Sequence, residues 1–399
     1  MTDKKEPKSK LSIILGAAFL MATASVGPSF LTQSATFTEQ LGGTFNFVIL
    51  ISLIISIIVQ ITIWRVIGVA GKKGPEIANE VIPGLGYVLT FLIVAGCFIF
   101  NIGNVAGCAM GLNVILGLNM KLGTVISIVL CLAIFLFKNA ITAMDKLTQF
   151  LGIGMIVLIL IVAITTNPPI GKALKETFMP QTLPFLPILT IVGGTVGGYH
   201  PFAGGHRLLE GNIKGKENLH KIDQSAVIGI IVCNLIRILL FFAIFGVISK
   251  GATLDPNNPA ADAFLKGAGI VGYKFFGIVL LFASVSSVVG AAYTSVTFLS
   301  SFSSQIEKKS NLSSILFTVL SGLIFLFVGR PASLLILTGA LNGLVLPITL
   351  TIMLIALKKK SIVGEYHHPS WLYILCWVVA AFMTFSGVRS LSAIGGLFG

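Results

Sequence analysis

The sequence predicts an all-α membrane protein of about eleven transmembrane helices, a five-plus-five inverted repeat with broken helices 1 and 6. Three observations predict it. The 399 residues are 55% hydrophobic and only 10% charged, with a mean hydropathy of +0.98, whereas a soluble domain carries about 25% charged residues. The apolar residues form continuous runs rather than alternating at period two, so helices and not a barrel must satisfy the backbone inside the bilayer. Glycine and proline interrupt the first and sixth of these runs, the sequence mark of a transporter built from inverted repeats with its site between the breaks.

The runs fall at 11–37, 45–70, 86–117, 122–138, 147–166, 185–205, 224–249, 270–301, 312–329, 333–357 and 371–391. Residues 1–10 form a tail, 11–166 the first repeat, 185–357 the second, and 371–391 an additional helix; no loop is long enough for another domain. The first run follows Lys4, Lys5, Lys8 and Lys10 and passes Ala22-Thr23-Ala24, the pattern of a signal peptide; in a polytopic chain it reads as an uncleaved signal-anchor. It then breaks at Ala24-Ser25-Val26-Gly27-Pro28-Ser29-Phe30. The sixth run breaks at Gly193-Gly194-Thr195-Val196-Gly197-Gly198-Tyr199-His200-Pro201, and the tenth contains Pro347. Proline removes a ladder donor and clustered glycine weakens a helix, so the first and sixth spans should unwind locally.

Charge sets the orientation. Of the 27 Lys and Arg residues, eighteen fall at span ends on the side of the N-terminus and eight on the other. The positive-inside rule then puts the N-terminus in the cytoplasm and, with eleven spans, the C-terminus outside, in a multi-pass protein of the plasma membrane. The net charge of +13 is therefore loop charge and predicts no nucleic-acid partner. All five cysteines lie in apolar runs without paired spacing, which excludes a disulfide framework or a CxxC metal site.

None of the 14 acidic residues lies in the middle of a span, although cation pathways and proton relays usually need a buried carboxylate. Two other groups do occupy spans. Arg237, inside the seventh, is either a structural cation bonded to backbone or an anchor for an anion or a gate; His200 sits within the sixth-span break.

The stretches Arg65-Val66-Ile67-Gly68-Val69-Ala70-Gly71-Lys72, Gly111 to Gly117, Gly193 to Val196 and the region of Asn234 resemble the NRAMP (natural resistance-associated macrophage protein) family over nearly the whole chain. The resemblance implies a LeuT-type fold with eleven or twelve spans. It also exposes departures. The family's first-span DPGN metal motif falls on Gly27-Pro28-Ser29-Phe30, its sixth-span MPH motif on Gly197-Gly198-Tyr199, and its two third-span acids on Asn101 and Asn104. The groups that hold metal and carry protons in the family are thus expected to be neutral here.

The expected function is secondary transport of a small polar organic solute by alternating access: a carboxylate or amino-acid-like compound, or a sugar. Family members near genes of 5-oxoproline breakdown add that lactam acid to the candidates. Substrate binding is expected at Ser25, Gly27, Pro28, Ser29, Gln33, Gly197, Gly198, Tyr199 and His200, where half-helix N-termini present donors. Asn101, Asn104 and Arg237 would line a polar pathway. Ser284, Ser286 and Ser287, with carbonyls near Ala24 and Val26, could hold a coupling Na⁺, or His200 a coupling H⁺; uniport needs neither. No cofactor and no resident metal are expected. The partners are the solute and the lipid bilayer, and a monomer is sufficient. The alternative is a divalent cation transporter for Mn²⁺ or Mg²⁺ with an uncharged site. An enzyme is not expected: no acidic pair, HExxH or nucleophile elbow occurs within the spans.

Overall fold

The computed structural model describes residues 26–136 and 140–398. Fourteen principal helices run through them: α1 (Pro28–Leu41), α2 (Phe45–Ala70), α3 (Gly74–Val81), α4 (Leu85–Leu116), α5 (Met120–Leu136), α6 (Ala140–Thr166), α7 (Ile170–Phe178), α8 (Phe185–Thr195), α9 (His200–Glu210), α10 (Leu219–Ile248), α11 (Pro259–Ser300), α12 (Ser310–Val328), α13 (Pro331–Ala356) and α14 (Ser370–Gly395). No strand occurs among the described residues. Every apolar run beyond the first has its helix, and the sixth is split into α8 and α9. Of the first run, only the half from Val26 is described; Ser25 and the Ala22-Thr23-Ala24 stretch lie outside the described residues.

The helices depart from the apolar runs where amphipathic sequence extends a span. α11 begins at Pro259, eleven residues before its apolar run. Asn258 caps it by accepting the Ala261 N–H at 3.3 Å, Pro259 occupies its first turn, and Asp262 pairs with Lys266 at 2.5 Å. This leading segment is helical but too polar to read as a span, and it meets the apolar part at Gly269, whose φ of 67° bends the helix. The helices α3 and α7 escape a hydropathy reading for the same reason.

α4 packs most extensively on α11, α13 on α8, and α10 on α2. The α8–α13 contact is backbone to backbone: a methyl group placed on Gly193 would lie 2.7 Å from the Gly343 Cα. Such small-residue contacts are how helices associate in lipid, where burial against a neighbour gains no hydrophobic energy. Outward faces carry large exposed apolar side chains, among them Phe150, Ile153, Ile164, Leu316 and Phe327, as a lipid-facing perimeter requires.

Each end of the bundle has its own set of ties. At one end the Arg65 guanidinium grips Asp223 through Nε and Nη2 at 2.7 and 2.6 Å. The Trp64 indole donates to the Pro201 carbonyl at 2.7 Å, and the Gly74 N–H donates to His206 Nε2 at 3.1 Å. At the opposite end the Leu254 N–H donates to Glu39 at 2.6 Å, Thr44 to Glu176 at 3.1 Å, and Asn46 to Thr177 at 2.6 Å. That second end also holds a cavity of about 400 Å³, lined in part by Asn113, Asp255, Asp262 and Tyr273.

Candidate functional site

The two breaks meet in the interior. α1 starts at Pro28, which takes the first helical position where its missing N–H costs nothing. α8 stops at Thr195: the N–H groups of Val196 and Gly197 both turn back to the Val192 carbonyl, at 2.8 and 3.1 Å. Gly198 then adopts a φ of 60°, a left-handed conformation that glycine takes without steric penalty, and α9 restarts at His200-Pro201. The N-termini of α1 and α9 therefore leave backbone N–H groups without helical partners at membrane depth.

Helix α13 backs this region. Ser29 Oγ and Thr338 Oγ1 are 3.0 Å apart, and Gln33 Nε2 donates to the Leu335 carbonyl at 2.7 Å. Asn342 Nδ2 donates to the Thr338 carbonyl at 2.9 Å, which leaves its oxygen pressed against Gly198. Gln33 also faces α8, since a methyl group on Gly194 would meet Gln33 Oε1 at 3.2 Å. From the other side α11 approaches: a methyl group on Gly27 would come within 2.9 Å of Ser287 Oγ, and one on Gly107 of α4 would lie 2.7 Å from Pro28 Cγ. Ser284 and Ser287 are buried on one face of α11, whereas Ser286 is half-buried on another, so the structure brings two of the three serines to the first break.

Tyr199 and His200 are both buried and stack at 4.1 Å between centroids; Phe100 of α4 meets them edge-on at 6.0 and 5.2 Å. The site's aromatic wall is thus a trio. Asn101 and Asn104 are fully buried, but Asn101 turns to α12, where its Nδ2 meets Ser321 Oγ at 3.1 Å, while both amide atoms of Asn104 lack a hydrogen bond among the described residues. Arg237 is 1% exposed. Its Nη1 donates to Thr195 Oγ1 at 3.3 Å, and its Cζ lies 4.1 Å from the centre of the Phe30 ring. One guanidinium therefore touches both broken helices, Phe30 in the first turn of α1 and Thr195 at the end of α8.

Sequence reasoning passed over Thr338, Asn342, Phe100 and Phe30. The tenth-span pair Gly339 and Gly343, one turn apart like Gly193 and Gly197 in the sixth, is the signal that α13 would close on the second break. Phe30 and Phe100 carry no signal, because phenylalanine is ordinary in a span.

The model of the natural resistance-associated macrophage protein-like family matches residues 18–393. The chain belongs to this Nramp family. Among its relatives, the membrane protein YcsG of Bacillus subtilis is 50% identical over 380 residues, covering 95% of this chain and 94% of the relative. Among solved structures, the manganese transporter of Eremococcus coleocola superposes with a TM-score of 0.77 at 15% identity, covering 99% of this chain and 90% of that one. MhsT, solved in complex with L-phenylalanine, superposes with a TM-score of 0.67 at 15% identity, covering 98% and 100%. At these identities the likeness is one of fold. This Nramp-family chain is accordingly a multi-pass membrane protein with the LeuT-type transporter fold, as the sequence predicted.

Proposed function

We propose that this Nramp-family protein is a secondary transporter that moves a small polar organic solute by alternating access, with the solute held between the α1 and α8–α9 breaks. The observation that carries the choice of solute over metal is the position of Arg237, a fixed cation in contact with both broken helices. Two charges interact as 332/(εr) kcal/mol, so even at an effective dielectric of 20 a divalent ion about 6 Å away would meet a repulsion of roughly 5 kcal/mol. The same charge favours a carboxylate, and half-helix N-termini add donors. Ser29, Gln33, Tyr199 and His200 supply polar and aromatic contacts. Carboxylates, amino-acid-like compounds and the lactam acid 5-oxoproline fit this set, with sugars next.

Ser284 and Ser287, facing the first break from α11, favour Na⁺ as the coupling ion; His200 would serve H⁺ coupling instead. The basic span ends support an orientation in the plasma membrane with the Arg65–Asp223 end in the cytoplasm and the 400 Å³ cavity outside.

Proteoliposomes loaded with the full chain test the reading. Labelled 5-oxoproline and other small carboxylates are expected to accumulate under an imposed Na⁺ gradient, while Mn²⁺ and Mg²⁺ do not. Replacing Tyr199 with Ala or His200 with Gln is expected to lower uptake at least tenfold. Saturable Mn²⁺ uptake that ignores every carboxylate would return the protein to metal transport, the activity named for its manganese-transporting structural relative.

A further inference from the structure

Arg237 does more than set a field. Its Nε and Nη2 are buried and have no hydrogen-bond partner among the described residues, and none of the described ion pairs involves it. Leaving a guanidinium in the membrane interior with one edge unbonded costs several kcal/mol, so such groups are kept where they act on something. The unbonded edge has a specific shape. Nε–H and Nη2–H project in parallel and match the two oxygens of one carboxylate. The same chain shows this pairing: Arg65 uses Nε and Nη2 to hold both oxygens of Asp223 at 2.7 and 2.6 Å. At Arg237 the third nitrogen is already held by Thr195 and one face is covered by Phe30, so the fork is fixed in place.

Two uncharged acceptors are also unmatched nearby in the fold. Gln33 Oε1 and Asn234 Oδ1 are buried without a donor among the described residues, their amides held in orientation by bonds from the amide nitrogens to the Leu335 and Ile230 carbonyls. Gln33 lies one turn beyond Phe30 and beside Gly194, the neighbour of Thr195; Asn234 lies one turn before Arg237 on α10. Among the described residues, the unmatched groups nearest this guanidinium in the chain are therefore one bidentate cation and two neutral acceptors, with Asn342 Oδ1 against Gly198 and the Asn104 amide unmatched further along the breaks.

We infer that Arg237 is the docking group for the carboxylate of the transported solute, and that the solute is a small monocarboxylate carrying at least one N–H or O–H donor for Gln33 or Asn234. This rests on the organic-solute reading above and narrows it. A single cation selects one carboxylate over two, and neutral acceptors select a donor-bearing body over a plain fatty acid. Sugars and other uncharged solutes leave the fork empty.

Matched probes test it on the full chain in nanodiscs, by calorimetry and thermal shift: lactate against lactamide, 5-oxoproline against its carboxamide, and propionate as an acid without a donor. Each donor-bearing acid that binds is expected to do so at least tenfold more tightly than its carboxamide and more tightly than propionate. Arg237→Lys keeps the charge but loses the fork, and is expected to weaken the acids about tenfold without altering the carboxamides. Arg237→Gln should abolish the difference between acid and carboxamide. If that variant does not fold, Thr195→Val, which leaves the guanidinium intact and frees Nη1, still reads the effect as a several-fold loss for acids alone. Carboxamides binding as tightly as acids would overturn the inference. So would acid affinities unchanged in the lysine and valine variants, which would make Arg237 a structural cation, or stabilisation by chloride alone with no response to acids. Uptake of an uncharged sugar, independent of Arg237, overturns this inference and leaves organic-solute transport standing; saturable Mn²⁺ uptake with no response to any probe overturns both.

Discussion

At the scale of single residues, the second break depends on a backbone conformation and a contact at the same atom. Gly198 has a φ of 60°, and a methyl group there would also lie 2.8 Å from the Asn342 Cγ. Gly117, at a φ of 70°, has nothing among the described residues within 4 Å of its added methyl. The pair separates two costs. Gly117→Ala should lose only the left-handed penalty, about 1 kcal/mol, whereas Gly198→Ala should lose that and the displacement of Asn342, about 2–4 kcal/mol in all. Thermal unfolding in detergent checks this, and equal losses would mean that Asn342 moves aside freely. Much of the site's chemistry was legible at this scale: glycine, proline, Arg237 and His200 are conspicuous in a span because each is costly there. Their partners were not, since Thr338, Asn342, Phe30 and Phe100 acquire meaning only when α13, α1 and α4 are brought against the breaks. Ser286 shows the converse failure: it sits in a run of serines, but helical spacing turns it off the face that Ser284 and Ser287 share.

At the scale of elements, the spans were readable and the surface helices were not. A continuous apolar run of bilayer length admits one solution, which is why α2 matches its run at both ends. The helices α3 and α7, and the first turns of α11, are amphipathic and short, and their sequence is indistinguishable from loop by hydropathy alone. Packing between elements follows small residues, and the α8–α13 pair tests this. Gly193→Ala would push a methyl group onto the Gly343 backbone, and Gly343→Ala would meet the Leu189 side chain at 2.9 Å. Each should cost about 1–3 kcal/mol by overpacking, and each should depress transport because the second break is anchored by this contact. Gly152→Ala on the lipid-facing α6, with nothing among the described residues within 4 Å of its added methyl, serves as the control and should be neutral or slightly stabilising. Melting temperatures of the three variants decide it; a Gly193→Ala protein as stable as Gly152→Ala would mean that the two helices separate at little cost.

At the scale of the whole molecule, the alternating access proposed above requires the two ends to open in turn, and their ties differ. One end is tied by a network around the Arg65–Asp223 ion pair, the other by bonds in which Glu39 accepts from the Leu254 N–H, Thr44 donates to Glu176 and Asn46 donates to Thr177. Arg65→Gln removes the bidentate grip on Asp223 and should raise deuterium exchange in α9 and residues 211–218 while leaving α7 unchanged; equal exchange throughout would mean that the pair does not hold the end shut. The same network predicts a dependence on pH. Arg65 Nη1 lies 3.5 Å from the Tyr366 hydroxyl, which in turn lies 3.0 Å from His368 Nδ1, in the connection before α14. Burial first, and the Arg65 charge second, push the His368 imidazole down to about 4 from its ordinary 6.5, with Asp223 opposing. Its partners on the packed elements are thus a cation, a carboxylate and a phenol, and the closed state holds His368 neutral. Between pH 6.5 and 4 the opened or unfolded chain binds a proton that the closed one does not, so stability rises with pH across that window and is lost as pH falls through it. His368→Gln removes the proton difference. The wild type should therefore lose more melting temperature than the variant between pH 7 and 4.5, and gain more exchange at residues 364–369. Parallel pH profiles for the two proteins would show that His368 takes its proton without disturbing the closed end.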